Sequence, residues 1–427
     1  MSIDTQIRSS HRILILCMFL YAASLIKYFD RDPLSAQVGP QGPIELAVLV
    51  GIVVTLLMAF RRHSWKLVLP PSAKAFLAFG AIALVSSVFS FYPLLSFAKG
   101  LSFILVCGIA LAVSSVLGPV RVMKYLYYSI VIILAIDLFV KLAGAAPLLE
   151  IDDYTGRTRL FLFGFYPTLL GELSAVTLLV GFLLSKRPPL YSQVFLFGMN
   201  VAADSRTGST LLVAILLAIW FASVRLTPRL VSLCCGVASL LAVVMLVWSQ
   251  TNYRNSADLA SMIRPLYGDK VADDVSSLNG RTEVWNAATP VIEHSIFLGY
   301  GLGGARDVLV KNTTWGVAGD AHNAVIELIL GGGFPAVFVF LFGWAGAAKR
   351  AWRSRGSLRI RALGLYAFIA GFGIVAPNLT NLQALSTFLI ITIDTMVCTE
   401  STSSCTRERA ARILRLHKEP LENPAGT

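Results

Sequence analysis

Charge is scarce in this chain. Only 14% of its 427 residues are Asp, Glu, Lys or Arg, against 56% hydrophobic, and mean hydropathy is +0.71. That shortage excludes a soluble domain of this length, which needs far more polar surface to stay in solution. Cysteine is sparse as well. Cys17, Cys107, Cys234, Cys235, Cys398 and Cys405 lie within apolar runs or in the basic tail, so no disulfide framework is implied. No Cys or His pair has zinc-like spacing. Internal repeats and low-complexity tracts are lacking too. Basic residues outnumber acidic ones, 36 to 24, but the net charge of +12 does not mark a nucleic-acid binder. They cluster between apolar runs, as at Arg61-Arg62, Lys186-Arg187 and Lys349-Arg350, and that positive-inside pattern orients a membrane protein.

What the chain does have is apolar runs near 20 residues, each long enough to cross ~30 Å of hydrocarbon. Twelve spans are expected, at roughly 13–29, 44–60, 73–92, 97–117, 122–143, 163–184, 190–203, 207–224, 230–250, 323–347, 359–376 and 380–398. Arg8, His11 and Arg12 before the first run fit a retained signal-anchor helix, although Ala22, Ala23 and Ser24 leave cleavage open. Basic connections follow even-numbered spans. Those after odd-numbered spans are acidic, mixed or rich in Gly and Pro, such as Asp30-Arg31-Asp32-Pro33 and Glu150-Ile151-Asp152-Asp153. Both termini then face the cytoplasm of an inner-membrane protein. The expected fold is all-α and integral to the membrane: nine helices in 1–250, a large periplasmic loop at 251–321, three helices in 322–398 and a cytoplasmic tail at 399–427.

A 251–321 loop of this length is either functional or disordered. Its aromatic, Gly and apolar residues, including Trp285, Tyr300, Leu302 and Trp315, predict a folded cap over the bundle, and this is where the chemistry is expected. Gly299, Gly301 and Gly304 formally match G-x-G-x-x-G. No βαβ unit surrounds them, so they read as a tight turn near a bulky ligand rather than a dinucleotide site.

Ionisable residues in unusual places are the candidate site. A lone histidine at a membrane interface is ordinarily structural. His322, however, sits at the mouth of the tenth span beside Asn323, with a Gly331-Gly332-Gly333 break nine residues on. Imidazole can take or give a proton near neutral pH, which favours a functional reading. His11, His63 and His417 fall on the cytoplasmic side, and His294 lies beside Glu293 away from a span mouth. Arg206, in Asp204-Ser205-Arg206-Thr207-Gly208, faces outward against the charge bias. It is either a snorkelling interfacial residue or a planar fork for a diphosphate. Glu172 falls near mid-depth of span six and is expected to face the bundle interior. Asp137 and Lys141 most simply pair with each other, and Asp394 reads as structural.

At these residues the chain resembles the O-antigen ligase and polysaccharide polymerase superfamily. The resembling elements are Asp204-Ser205-Arg206-Thr207-Gly208, Gly280-Arg281 with Trp285, Gly299-Tyr300-Gly301-Leu302-Gly303, and Ala321-His322-Asn323 with the glycine break after it. The span layout is similar along the whole chain; the motifs lie within about 200–335. The resemblance implies an inverting membrane glycosyltransferase of the C-type helical class, for which no metal, nucleotide sugar or other cofactor is expected. Its donor would be a glycan on undecaprenyl diphosphate, and its acceptor a hydroxyl on a glycan or lipid A core at the outer face of the inner membrane. Carried over, Arg206 and Arg281 would hold the diphosphate and His322 would activate or orient the acceptor hydroxyl. Trp285, Gly301, Asn323 and Glu172 complete the expected binding set, with Glu283 or Glu327 as the next candidates for a base. A diphosphate is a good leaving group if cations meet its charge, so the paired carboxylates of a glycoside hydrolase are not required. A transporter or flippase is the competing class; such folds tend to show repeated halves and broken, charged helices at the midplane.

Overall fold

The computed structural model describes residues 3–25, 41–63, 67–145, 149–152, 157–162, 165, 167–185, 188–223, 281–304, 309, 321, 323–354, 356–374 and 384–416. The ninth expected span, most of the 251–321 loop and His322 lie outside them. Among the described residues the chain is mostly helical. Five helical stretches are long and apolar enough to cross a membrane: Pro71–Phe89, Pro93–Leu117, Pro119–Gly144, Pro167–Leu184 and Ala324–Arg353.

The first helices are α1 (Ile3–Ser24), α2 (Gln41–His63), α3 (Pro71–Ser86), α4 (Pro93–Leu117) and α5 (Pro119–Val140). Proline opens α3, α4 and α5, where a missing N–H costs nothing because the first helical N–H groups have no partner within the helix. A hairpin of β1 (Leu149–Asp152) and β2 (Arg157–Leu160) follows, antiparallel with Glu150 opposite Arg159. The acidic connection seen in the sequence is therefore partly a strand. Glu150 accepts from Lys141 Nζ at 2.5 Å, which ties the hairpin to the end of the α5 stretch.

After the hairpin come α6 (Pro167–Leu184), α7 (Leu190–Ala202), α8 (Arg206–Ser223), α9 (Arg281–His294), α10 (Ala324–Arg353), α11 (Gly356–Gly373) and α12 (Leu385–Leu416). Among the described residues, eleven of the twelve expected spans overlap a helix, of which five are long and apolar enough to cross a membrane. The expected tail does not begin where the helix ends, since α12 runs on to Leu416.

Every residue from Ala384 to Val397 is buried, so the first half of α12 is the axis of the bundle. A helix apolar on all sides belongs in such a position. Around it, α10 lies along α3, α3 along α4, α1 along α5, α6 along α7 and α11 along α8. Phe76 and Phe79 of α3, Phe103 of α4 and Phe340 of α10 fill one node, with ring centroids 4.8–5.3 Å apart for the pairs Phe79–Phe103, Phe76–Phe340 and Phe79–Phe340. The outward faces are apolar as well, with Phe139, Leu190, Phe338 and Phe342 largely exposed. That is the surface a lipid solvent demands.

Asp394 is the most deeply buried charged residue among those described. Asp394 is wholly buried and accepts from Arg350 Nε at 2.6 Å and Nη2 at 2.7 Å. The Ser72 hydroxyl also donates to it, and so does the Ser72 backbone N–H at 3.3 Å. The expectation that Asp394 is structural fits this geometry: it fastens the start of α3 and the end of α10 to α12.

Candidate functional site

The Asp204–Gly208 break is the turn between α7 and α8. Asp204 takes φ +46°, a left-handed conformation that Asp tolerates better than most residues, and α8 begins two residues later at Arg206. The turn is seated on α6. Ser205 packs into the space beside Gly171, where a Cβ would collide with its side chain. Asn200 Nδ2 donates to the Gly171 carbonyl at 2.7 Å, and Ser209 Oγ donates to Asn200 Oδ1 at 2.7 Å. Buried polar bonds of this kind join helices where water is excluded. From the hairpin, Arg159 Nε approaches Asp204 Oδ2 at 3.9 Å.

Glu172 is buried, as expected, but its depth is corrected. Leu162 and Phe165 form an isolated bridge before the helix, and Pro167 starts it, so Glu172 falls in the second turn of α6. It therefore lies beside the α7–α8 turn rather than halfway down a span.

Asn323 and Trp285 anchor the second part. Asn323 is the N-cap of α10: its Oδ1 accepts from Val325 N and Ile326 N at 2.9 and 3.1 Å, satisfying N–H groups that the helix itself cannot. Its Nδ2 donates to the Ile374 carbonyl at the end of α11, 3.1 Å away. Buried Trp285, in the second turn of α9, donates from Nε1 to the Ala321 carbonyl at 2.8 Å. Glu327 Oε1 accepts from Ala321 N at 2.5 Å. The residues on either side of position 322 are thus both tied down, Ala321 by Trp285 and Glu327 and Asn323 by its bonds to α10 and Ile374. Neither Asn200 nor Glu327 was assigned this positioning role from the sequence. A lone Asn in the apolar run of α7 was the available signal.

The end of α11 joins the two parts. Phe372 borders Gly208, 3.4 Å from where a Cβ would stand, while Ile374 accepts from Asn323. The start of α8 at Arg206, the start of α10 after Asn323 and, through Trp285, the first turns of α9 after Arg281 therefore lie around one helix end. Helix N-termini carry partial positive charge and free N–H groups, which favour anions.

The glycine turn has a different neighbour from the one expected. Gly299 and Gly301 have φ +63° and +76°, so the tight turn is real. But a Cβ on Gly301 would lie 2.7 Å from Ser96 Oγ, and Gly303 N donates to the same hydroxyl at 3.0 Å. The space beside Gly301 is filled by α4, not left for a bulky ligand. Gly299 faces the glycine break of α10, where Gly333 has φ +71°. There Leu330 O accepts from Tyr300 N at 2.6 Å and Phe334 N donates to Ile296 O at 2.8 Å. The two groups that would bond each other in a continuous helix both bond the turn instead. His294, the other histidine expected on the outer side, has Nδ1 2.7 Å from the Pro290 carbonyl in its own helix, a local structural contact.

No curated protein matches the chain. Residues 192–341, which contain Arg206, Arg281, Trp285, Gly301 and Asn323, match a family model described as O-antigen ligase. The match covers 150 of the 427 residues and supports the resemblance to the O-antigen ligase and polysaccharide polymerase superfamily read from the motifs.

Proposed function

We propose that this protein takes a glycan from an undecaprenyl diphosphate carrier and attaches it to an acceptor hydroxyl at the outer face of the inner membrane, as an O-antigen ligase or a repeat-unit polymerase. The observation that carries the reading is the gathering of the α8, α9 and α10 starts around the end of α11, inside the family-matched segment.

In this mechanism Arg206 and Arg281 hold the diphosphate at those helix starts. The acceptor oxygen attacks the anomeric carbon and its proton passes to His322. The C1–O bond to the diphosphate breaks, and undecaprenyl diphosphate leaves with its new negative charge met by the two guanidinium groups. Arginines rather than a metal ion supply that neutralisation, and preorganised cations in a site with little water suit the task. A single displacement inverts the anomeric centre. The Trp285 and Asn323 bonds hold the chain on either side of His322, which is what a base needs to stay within reach of its proton.

The test is transfer by purified protein in liposomes with a native lipid-linked donor. Glycosylation of lipid A core identifies a ligase, and chain growth from single repeat units a polymerase. Absence of both, with donor and acceptor shown to be intact, would reject the reading.

A further inference from the structure

The turn between α9 and α10 belongs to the segment expected outside the membrane, yet its placement is deep. It bonds α10 at Leu330 and Phe334, on either side of Gly333. Gly333 precedes Lys349, the first residue of the basic cluster Lys349-Arg350 with Arg353, by sixteen helical positions, about 24 Å at 1.5 Å per residue. A hydrocarbon core is ~30 Å thick, so this point lies about 6 Å inside the far boundary of a bilayer that begins at the cluster. A second helix agrees. Gly332 stands next to Ile82 and Ser86 of α3, whose Ser72 shares Asp394 with Arg350 at the charged end. Fourteen positions separate Ser72 from Ser86, roughly 21 Å.

At this depth the turn exposes apolar side chains. Phe297 is 73% exposed, and Ile296 and Leu298 are also open. They continue the exposed face of α10, where Phe338, one turn below Phe334, is 70% exposed. The turn is joined to the bundle through its backbone: Tyr300 N and Ile296 O bond α10 and Gly303 N bonds Ser96, while Gly299 N bonds Ser295 O within the turn. Non-helical backbone survives at membrane depth only when it is paired in this way.

We infer that residues 295–304 form a re-entrant turn seated in the break of α10, with Ile296, Phe297 and Leu298 immersed in the acyl chains of the bilayer. The inference rests on depth and surface chemistry and holds whatever reaction the protein catalyses.

Spin labels would test it in the full-length protein, reconstituted in phospholipid vesicles after the six native cysteines are replaced. One label goes at Phe297→Cys, one at Phe338→Cys on α10 and one at Asn286→Cys on the exposed side of α9. Collision with oxygen, which concentrates in hydrocarbon, is compared with collision with a water-soluble nickel chelate. The label at 297 is expected to match the one at 338, with oxygen access at least several-fold above chelate access, and to differ from the one at 286. Chelate access at 297 equal to that at 286 overturns the inference, and so does chelate access at 338. Dipolar broadening at 297 would mean that a second copy of the chain covers the turn, and also overturns it. If Phe297→Cys does not fold, Leu298→Cys carries the same expectation.

Discussion

The indole of Trp285 donates to the Ala321 carbonyl at 2.8 Å, which ties α9 to the residue before His322. Trp285→Phe keeps an aromatic side chain but loses the donor together with the five-membered ring that carries it, leaving a buried carbonyl unpaired at a cost of about 1–3 kcal/mol beyond the lost packing. Turnover should fall while affinity for the lipid-linked donor stays the same, because the change reaches the base and not the arginines. His322→Ala should show the same split more strongly, with transfer down by ~10²–10⁴-fold. Single-turnover kinetics beside a donor-binding assay checks both. Wild-type turnover in His322→Ala would move the base elsewhere, with Glu283 and Glu327 the next residues to test.

Arg206 and Arg281 are expected to fail at the earlier step. Arg206→Ala and Arg281→Ala should each lose donor binding while still inserting in the membrane. Lys at either position should recover little, since a point charge cannot reproduce the paired hydrogen bonds of the guanidinium fork. Titration with labelled lipid diphosphate separates these outcomes; wild-type binding by both Ala variants would remove the diphosphate clamp.

Two glycines predict opposite stability effects. Gly333→Ala forces a Cβ into φ +71°, worth roughly 1–2 kcal/mol, and drives it against the Phe297 backbone. It should lower the thermal midpoint in detergent and loosen residues 295–304. Gly51 of α2 has nothing within 4 Å of where its Cβ would be. Gly51→Ala should be neutral or stabilising by up to ~1 kcal/mol. Equal midpoints for the two variants would contradict the packing described for the break.

Asp394 supplies the clearest charge prediction. Asp394→Ala leaves Arg350 without its bidentate partner, and breaking a buried pair of this kind costs about 3–5 kcal/mol. The double variant Arg350→Met with Asp394→Leu should recover much of that loss, because an apolar pair can replace a buried ionic one. Melting of the two variants in the same detergent decides it.

The helices were legible because lipid and core both demand apolar runs, and a run's length is a local property of the chain. The break at Gly331-Gly332-Gly333 was legible for the same reason. Its occupant was not: Gly299 meets Gly333 across 34 positions, and pairing at that distance leaves no periodic trace. The hairpin was hidden because Glu150 and Asp152 read as an acidic connection, while their strand partners sit at Arg159 and Arg157. Glu172 was placed too deep since hydropathy alone does not see that Pro167 starts the helix. The proposed arginines stood out by their expected sidedness, but Trp285 donating to Ala321 and Asn323 to Ile374 depend on three-dimensional neighbours.

The broken α10 also sets an order of assembly. Its Leu330 carbonyl and Phe334 N–H have no partners within their own helix, and the groups that receive them, at Tyr300 and Ile296, lie earlier in the chain. So do Ser86 and Ile82 of α3, against which the break packs. A ribosome therefore finishes the receiving surface about thirty residues before the helix that needs it. When α10 leaves the insertion machinery, its interrupted turn can be capped at once, and no bare peptide group has to wait in hydrocarbon.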